Sequence, residues 1–394
     1  MSYCPACRIA LRSLNSLSTS QRIQLAFSSN AGHERPMMKP WRIAGINFSH
    51  MHMGDLLRQV TEHTDTELVG VCDSDRQSMQ PTIEALKIPS DNVFTDELEC
   101  VRTAKPDLVI LCPPTGEHAE WVERLAPLGV HLLVEKPFAA SLADADRMIE
   151  AMRPTGKQLI INWPARWDRA HYMTWCLINQ GTIGDVIEVH HYGGNRGPLY
   201  HGADKLELEP TAEEKQRSWW YKLDAGGGSL RDYLGYGVTM GTWFNGGQKP
   251  IDVTCVTTGT KGLEVDEHSI TIARYATGMS KFETRWGTFT DPWVHQPQPQ
   301  CGYVVRGTRG TISSYDYATT LRVQTEARPE GYDHPVEDLP TGETNGIEYT
   351  LSRLNQDLPV EGPLSPTIAR IGQQIIETAI QSAAQQKTLP LIDR

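Results

Sequence analysis

The strongest constraint on the fold is a series of short, almost uninterrupted apolar runs between Trp41 and Trp163. They are "WRIAGIN" (41–47), "ELVGVCD" (67–73), "DLVILCP" (107–113), "VHLLVE" (130–135) and "KQLIINW" (157–163). Amphipathic stretches separate them. "GDLLRQVTEH" (54–63) puts Leu56, Leu57 and Val60 at helical spacing, and residues 76–87, 116–129 and 142–154 read as further helices, the second of these closed by Gly129. A strand wet on one face alternates polar with apolar residues. These runs do not alternate, so both of their faces are covered. Strands alternating with helices then specify an α/β domain: a doubly wound parallel sheet with helices on both sides.

The second half changes period. "ETRWGTFTDPW", "CGYVVRGTRGTISSY" and "TTLRVQT" are short alternating segments broken by Gly and Thr, which predicts antiparallel strands. A helix is expected at about 168–180, and "IGDVIEVHHYGG" (183–194) as the first strand of this domain. A polar excursion over 194–224 ends in "RSWWYKLDAGGG". Loops of that length are usually functional or disordered, and three consecutive aromatics, Trp219, Trp220 and Tyr221, argue against disorder. The expected organisation is a nucleotide-binding domain over 39–163, an α+β substrate and oligomerisation domain over 164–362, and a terminal helix within 363–394, capped by Ser365 with Pro366 in its first turn. Residues 1–38 are rich in Ser and read as a disordered leader or a start assigned too early, with a transit peptide as the alternative.

Composition excludes several classes. Asp and Glu (48) outnumber Lys and Arg (37), and the net charge of −11 offers no general nucleic-acid surface. No stretch approaches the ~18 apolar residues of a membrane helix. Eight cysteines are scattered, and Cys72, Cys112 and Cys255 sit in apolar runs as small hydrophobes, which suits the reducing cytoplasm. Cys4 and Cys7 form a lone CxxC with no second pair, so no zinc site is read there.

In a parallel sheet, ligands gather outside the carboxyl ends of the strands. The first strand ends in Gly45-Ile46-Asn47-Phe48-Ser49-His50, where a dinucleotide loop would carry GxGxxG but only its first glycine is present. Asn47 tolerates the left-handed conformation that the second glycine would adopt. His50 stands at the third, where it either faces a pyrophosphate or packs into the first helical turn. His50 and His52 have no acidic or cysteine companion nearby, so no metal is assigned. The second strand ends in Asp73, a carboxylate placed to bond an adenosine ribose and to repel a 2′-phosphate. That favours NAD, while Ser74 and Arg76 keep NADP open. Later strand ends supply Pro113, Thr115 and His118, then Glu135-Lys136-Pro137, then Arg166 and Trp167.

In order, the Gly45 loop, Asp73, "PPTGEH", "EKP" and "GGGSLRD" resemble the glucose-fructose oxidoreductase / inositol dehydrogenase family (Gfo/Idh/MocA), over residues 41 to 390. The resemblance implies an N-terminal Rossmann domain and a C-terminal domain on a large, open, mostly antiparallel sheet. It implies hydride transfer between NAD(P) and a sugar, cyclitol or related polyol. The lysine of EKP, here Lys136, would touch cofactor and substrate, and the next proline is often cis. The helix after the triple glycine carries an Asp and usually a His, here Asp232 and Tyr236; Tyr is similar to the branch that includes glucose-fructose oxidoreductase. The resemblance also implies a terminal helix packed back on the first domain, and a homo-oligomer, dimer or tetramer, formed through the open sheet.

Oxidising a secondary alcohol needs a hydride acceptor and a base. Burial and a nicotinamide cation both disfavour a lysine ammonium, so Lys136 is expected as base or as polarising donor. Tyr236 is the rival base, and Asp232 orients substrate or donor. Arg166 and Arg231 are candidate anchors for substrate hydroxyls or carboxylates, with Arg166 also placed at the cofactor. Trp167, Trp219 and Trp220 would pack on the C–H faces of a sugar. Two other readings use the same residues: a glycosidase that oxidises its sugar transiently through NAD, and a non-enzymatic sensor on a degenerate nucleotide fold.

Overall fold

The computed structural model describes residues 39–202 and 205–393. The expected leader and the Cys4–Cys7 pair lie outside them. The first domain runs β1 (Trp41–Ile46), α1 (His52–Glu62), β2 (Thr66–Cys72), α2 (Arg76–Leu86), β3 (Val93–Phe94), α3 (Glu97–Ala104), β4 (Leu108–Leu111), α4 (His118–Leu125), β5 (His131–Glu135), α5 (Leu142–Met152) and β6 (Leu159–Asn162). All six strands pair in parallel, in the order β3-β2-β1-β4-β5-β6. The winding reverses between β1 and β4, and the crevice for a ligand opens there. Ile43, Ile46, Leu108, Ile110 and Leu133 are fully buried, as continuous apolar strands require. The two-residue β3 and the short α3 carry too little periodicity to be read from sequence.

The second domain contains α6 (Arg169–Asn179), β7 (Val186–Asn195), α7 (Ala212–Arg217), α8 (Ser229–Phe244), β8 (Asp252–Thr258), β9 (His268–Arg274), β10 (Met279–Trp286), β11 (Gly302–Gly307), β12 (Gly310–Tyr315), β13 (Thr320–Thr325) and β14 (Arg328–Pro335). After it come α9 (Gly346–Asn355), α10 (Pro366–Gln385) and β15 (Leu389–Pro390). Nine strands form the sheet β14-β13-β12-β11-β7-β10-β9-β8-β15, antiparallel except where β10 meets β7. Alternation decides its faces. Ser269, Thr271 and Ala273 of β9 point inward, while Ile272 and Arg274 are exposed. The inner face packs on α8 through Leu234, Val238, Phe282 and Val305.

Two boundaries differ from expectation. Ile347, Tyr349, Leu351 and Leu364 belong to the core of the first domain, beside Ile43, Leu57 and Leu108. The chain therefore returns to that domain before residue 362. The terminal helix α10, expected on the first domain, is mainly buried in the core of the second, where Ile371, Ile375, Ile376 and Ala379 join α8 and β8. The reason is a closely packed seam: a Cβ at Gly372 would lie 2.8 Å from Thr239 Oγ1. The helix still touches the first domain along one edge. Arg370 pairs with Asp146 at 2.5 and 2.8 Å, and Glu377 accepts the Leu142 N–H at 2.6 Å. Ser365 caps α10, as expected, by accepting the Thr367 N–H. Among the described residues no helix is long and apolar enough to cross a membrane.

Candidate functional site

Parallel pairing sets Glu135, the last residue of β5, opposite Asn162 of β6. The next residue is Lys136, joined to Pro137 by a cis peptide bond. Its Nζ lies 2.8 Å from Asp232 Oδ1, and both side chains are buried. The triple glycine positions Asp232. A Cβ at Gly227 would fall 2.3 Å from the Trp220 carbonyl oxygen, so only glycine lets the chain cross the Trp219–Tyr221 segment there. Gly228 (φ 108°) then turns into α8, whose first turn is held by Asp266 accepting from Ser229 Oγ (2.6 Å) and the Leu230 N–H (2.9 Å). Tyr236 follows on the same face. The Lys136 Nζ sits 5.4 Å from the Tyr236 ring centroid and 5.5 Å from that of Trp220.

The charges around the lysine oppose its burial. Burial works against the Lys136 ammonium, but Asp232, Tyr236 and Glu135 outweigh it and hold its pKa above the ordinary lysine value. Burial pushes the Tyr236 phenol up to about 12, against the opposing pull of Lys136.

The β1–α1 loop is built around Asn47, whose φ of 66° is left-handed as the sequence predicts. Asp73 accepts the Phe48 N–H at 2.7 Å and the Asp75 N–H at 2.8 Å, and Asn47 Oδ1 accepts the Ser49 N–H at 3.0 Å. His50 is buried. Its N–H donates to the Cys112 carbonyl at 3.2 Å, and its ring packs edge-on against Trp220 at 5.0 Å. His50 Nδ1 accepts the His52 N–H at 3.1 Å. His52 Nδ1 lies 2.8 Å from Glu135 Oε1, and Asn162 Nδ2 donates to Glu135 Oε2 at 2.6 Å. The fold therefore supplies the acidic companion that the two histidines lack in sequence, with one donor atom of each of the three within 4.8 Å of the others. Both Nδ1 atoms and both Glu135 oxygens are nevertheless engaged in hydrogen bonds within the protein.

A cavity of about 420 Å³ opens beside these groups. Lys136, Asp232, Tyr236, Trp167, Trp220 and His50 line it, as predicted residues. His52, read from sequence only beside His50, lines it too, and the structure adds His171, His191, His201, Trp293 and Asp316, none of which lies in a motif. Their only trace in sequence is "EVHHYGG", where strand alternation turns His191 inward and His190 outward. Burial lowers His191 to about 3 and His201 to about 4, so both are neutral near pH 7. Burial raises the Asp316 carboxyl to about 6.

Four predicted residues lie elsewhere. Arg166 is paired with Glu343 and stacked between Tyr172 and Tyr349, at 4.6 and 4.7 Å from their centroids, so its charge is satisfied away from the cavity. Arg231 donates to the Leu223 carbonyl at 2.8 Å and faces away from the cavity. The buried His118 ring lies between the carbonyls of Phe138 (3.1 Å from Nδ1) and Pro113 (3.2 Å from Nε2), and its N–H donates to one of them. Trp219 stacks behind Trp220 at 3.8 Å and donates to the Ser49 carbonyl at 3.4 Å. Pro113 and Thr115 are buried at the end of β4, and the adjacent Gly116 N–H donates to the Ala225 carbonyl of the second domain at 3.0 Å. A dinucleotide fits the remaining features: the strand reversal, the left-handed Asn47, and an Asp73 carboxylate with lone pairs to spare for a ribose.

Comparison with known proteins agrees. Residues 41–163 match the model of an oxidoreductase family with an NAD-binding Rossmann fold, and residues 176–313 match the GFO/IDH/MocA C-terminal domain. The inositol 2-dehydrogenase of Salmonella typhimurium is 27% identical over 161 residues, 40% of this chain and 48% of that protein. The D-glucoside 3-dehydrogenase of Escherichia coli is 30% identical over 122 residues, 31% of this chain and 34% of that one. The matched stretches thus span about half of these relatives or less. The crystal structure of aldose-aldose oxidoreductase from Caulobacter crescentus, complexed with glycerol, shares the fold with a TM-score of 0.71 at 18% identity, covering 89% of this chain and all of that one. Matched in both domains by family models, the chain belongs to the GFO/IDH/MocA oxidoreductase family.

Proposed function

We propose that this chain is an NAD(P)-dependent oxidoreductase that acts on a secondary alcohol of a sugar, cyclitol or related polyol. The observation that carries the reading is the buried Lys136–Asp232 pair, 2.8 Å apart, at the strand-end rim of a cavity walled by Tyr236 and Trp220. Nicotinamide, when bound, supplies the hydride acceptor. The chain's own residues do the rest. Asp73 holds the ribose, and the face of Trp220 presents an apolar surface for sugar C–H groups. The Lys136 ammonium donates to the substrate oxygen, which favours the carbonyl product polarised against it. Relatives that act on inositol and on D-glucosides support a polyol of this size. The test is spectrophotometric: purified protein, NAD⁺ and a panel of inositols and glucosides should yield NADH. Calorimetric NAD⁺ binding with no NADH from any of them would overturn the reading.

NAD is the preferred cofactor, because the Asp73 carboxylate repels a 2′-phosphate. Asp73→Ser is expected to weaken NAD⁺ binding by roughly tenfold, one lost charge-assisted pair, and to narrow the gap to NADP⁺. Unchanged affinities for both in a binding titration would remove Asp73 from the site. The six described cysteines are all free, which supports a reducing cytoplasm. The open sheet face exposes Val256, Ile272, Met279 and Val304, and that apolar band supports a homo-oligomer. Ile272→Glu is expected to shift the mass measured by light scattering toward the monomer.

A further inference from the structure

We propose that the mouth of the cavity is a second, polar subsite that holds one ring of a two-ring saccharide while the other ring is oxidised at Lys136. The proposal rests on the oxidoreductase reading and narrows its substrate from any polyol to a sugar joined to a second sugar.

The cavity has depth. At its floor Lys136 and Asp232 are each 4% exposed, whereas Tyr317 at its mouth is 59% exposed and Lys205 beside it is exposed as well. Its volume of about 420 Å³ falls in the range of pockets that enclose drug-sized ligands. A single sugar ring seated against Lys136 and Trp220 occupies the floor and leaves the mouth to solvent.

The mouth is assembled from three segments distant in sequence. His201 and Lys205 come from the excursion after β7, Trp293 from the loop after β10, and Asp316 with Tyr317 from the turn after β12. Their side chains are tied together. Lys205 Nζ donates to Tyr317 Oη at 2.7 Å and lies 4.6 Å from the centroid of that ring and 5.4 Å from that of Trp293. The His201 ring meets Trp293 edge-on at 4.9 Å. Lys205 and Tyr317 both hold left-handed backbone, with φ of 57° and 65°, a conformation that side chains other than glycine rarely adopt. The wall is therefore fixed before a ligand arrives.

Its polar groups lack partners. The main chain of Asp316 is held at both ends, its N–H donating to the Cys301 carbonyl at 3.0 Å and its carbonyl accepting from Gln296 Nε2 at 2.8 Å. Yet its carboxylate accepts no hydrogen bond from the described residues. Trp293 Nε1 and His201 Nδ1 are buried, also without a partner among the described residues. Lys205 uses one of its three donors on Tyr317. Acceptor and donors thus stand together, beside an imidazole nitrogen that can serve in either sense. Buried polar groups left unpaired cost free energy, and a ligand that pairs with them recovers it. A hydroxyl both donates and accepts, so a sugar ring satisfies the set, whereas an aromatic aglycone would strand it. The carboxylates of Asp168 and Asp316 outnumber the Lys205 ammonium at this end, which selects against a sugar acid or a sugar phosphate.

The test uses matched pairs: cellobiose with methyl β-glucoside, maltose with methyl α-glucoside and lactose with methyl β-galactoside, with phenyl β-glucoside added, each read as NADH formed from NAD⁺. At least one disaccharide should exceed its methyl glycoside in kcat/KM by ~10–100-fold, the worth of a few net hydrogen bonds. Trp293→Phe removes the indole N–H but keeps an aromatic ring, and Asp316→Asn keeps the side-chain shape. Each should lower that ratio by about fivefold or more through KM, with kcat on the disaccharide within about twofold, because a contact remote from the reacting carbon is made equally before and in the transition state. A fall in kcat on both members of the pair with the ratio unchanged would assign these residues to structure and overturn the subsite. Methyl glycosides or inositols oxidised as efficiently as every disaccharide, or phenyl β-glucoside preferred to cellobiose, overturn the subsite alone. A wild type that binds NAD⁺ yet oxidises none of these compounds overturns the proposed function, and the subsite with it.

Discussion

Lys136→Ala is expected to cut turnover by ~10²–10³-fold, the usual loss on removing one donor aimed at developing negative charge, while NAD⁺ binding persists within a few-fold. The separation arises because Lys136 sits at the rim beyond β5, whereas the features that would hold the nucleotide, Asn47 and Asp73, belong to the β1 and β2 ends. The variant also strands the Asp232 carboxylate. Breaking one side of a buried pair costs on the order of 3–5 kcal/mol, so Asp232→Asn in the same background should recover stability but not turnover. The pH dependence follows from the sign of the shift. The folded pKa of Lys136 is raised, so the pair's contribution is fully present below the unfolded lysine value of about 10.4 and fades only as pH rises through the strongly alkaline range. Measuring NADH formation and calorimetric NAD⁺ binding on the same preparation decides the matter. Near-normal turnover in Lys136→Ala would remove the lysine from the chemistry.

Gly235→Ala is expected to destabilise the protein by ~1–3 kcal/mol and to impair turnover with it, as overpacking does in a filled core. Gly235 lies on α8 between Asp232 and Tyr236, and a Cβ there would come within 2.1 Å of Cη2 and 2.7 Å of Cζ2 of Trp163. The indole has no room to yield. Trp163 is 1% exposed, ends the first domain's core, and meets the Tyr236 ring edge-on at 5.2 Å. One methyl group would push apart the two domains at the point where they share the cavity. An unchanged melting temperature in Gly235→Ala would show that α8 can retreat without cost, and would undo the argument that this contact sets the spacing of Lys136 and Asp232.

Much of the chemistry was legible in one dimension. Continuous apolar strands announced a sheet covered on both faces, and the residues at or just past their ends, Asp73, Glu135 and Lys136, had to collect along its carboxyl edge. Asn47 took the left-handed backbone that the missing glycine requires. Arg166 and Arg231 were misplaced for a different reason. A sequence shows an arginine near a site but not the partner that claims it, and Glu343, 177 positions from Arg166, takes its charge. His118 likewise stands one turn from the strand end, as expected, but with its ring turned onto two carbonyls rather than outward.

The division has a physical basis. Period, burial and strand-end position are local properties, set by the backbone repeat and the need to cover apolar faces, and they placed Lys136 on the rim and Asp232 with Tyr236 on one helical face. Pairings between side chains depend on which segments the sheets bring together. His52 and Glu135 are 83 residues apart, and Lys136 and Asp232 are 96 apart. "LLVEKPFAAS" shows that a strand ends in two charges, and the fold shows why both are kept. The lysine pairs with Asp232 of the second domain, and the glutamate pairs with His52, which opens the helix after the β1 loop.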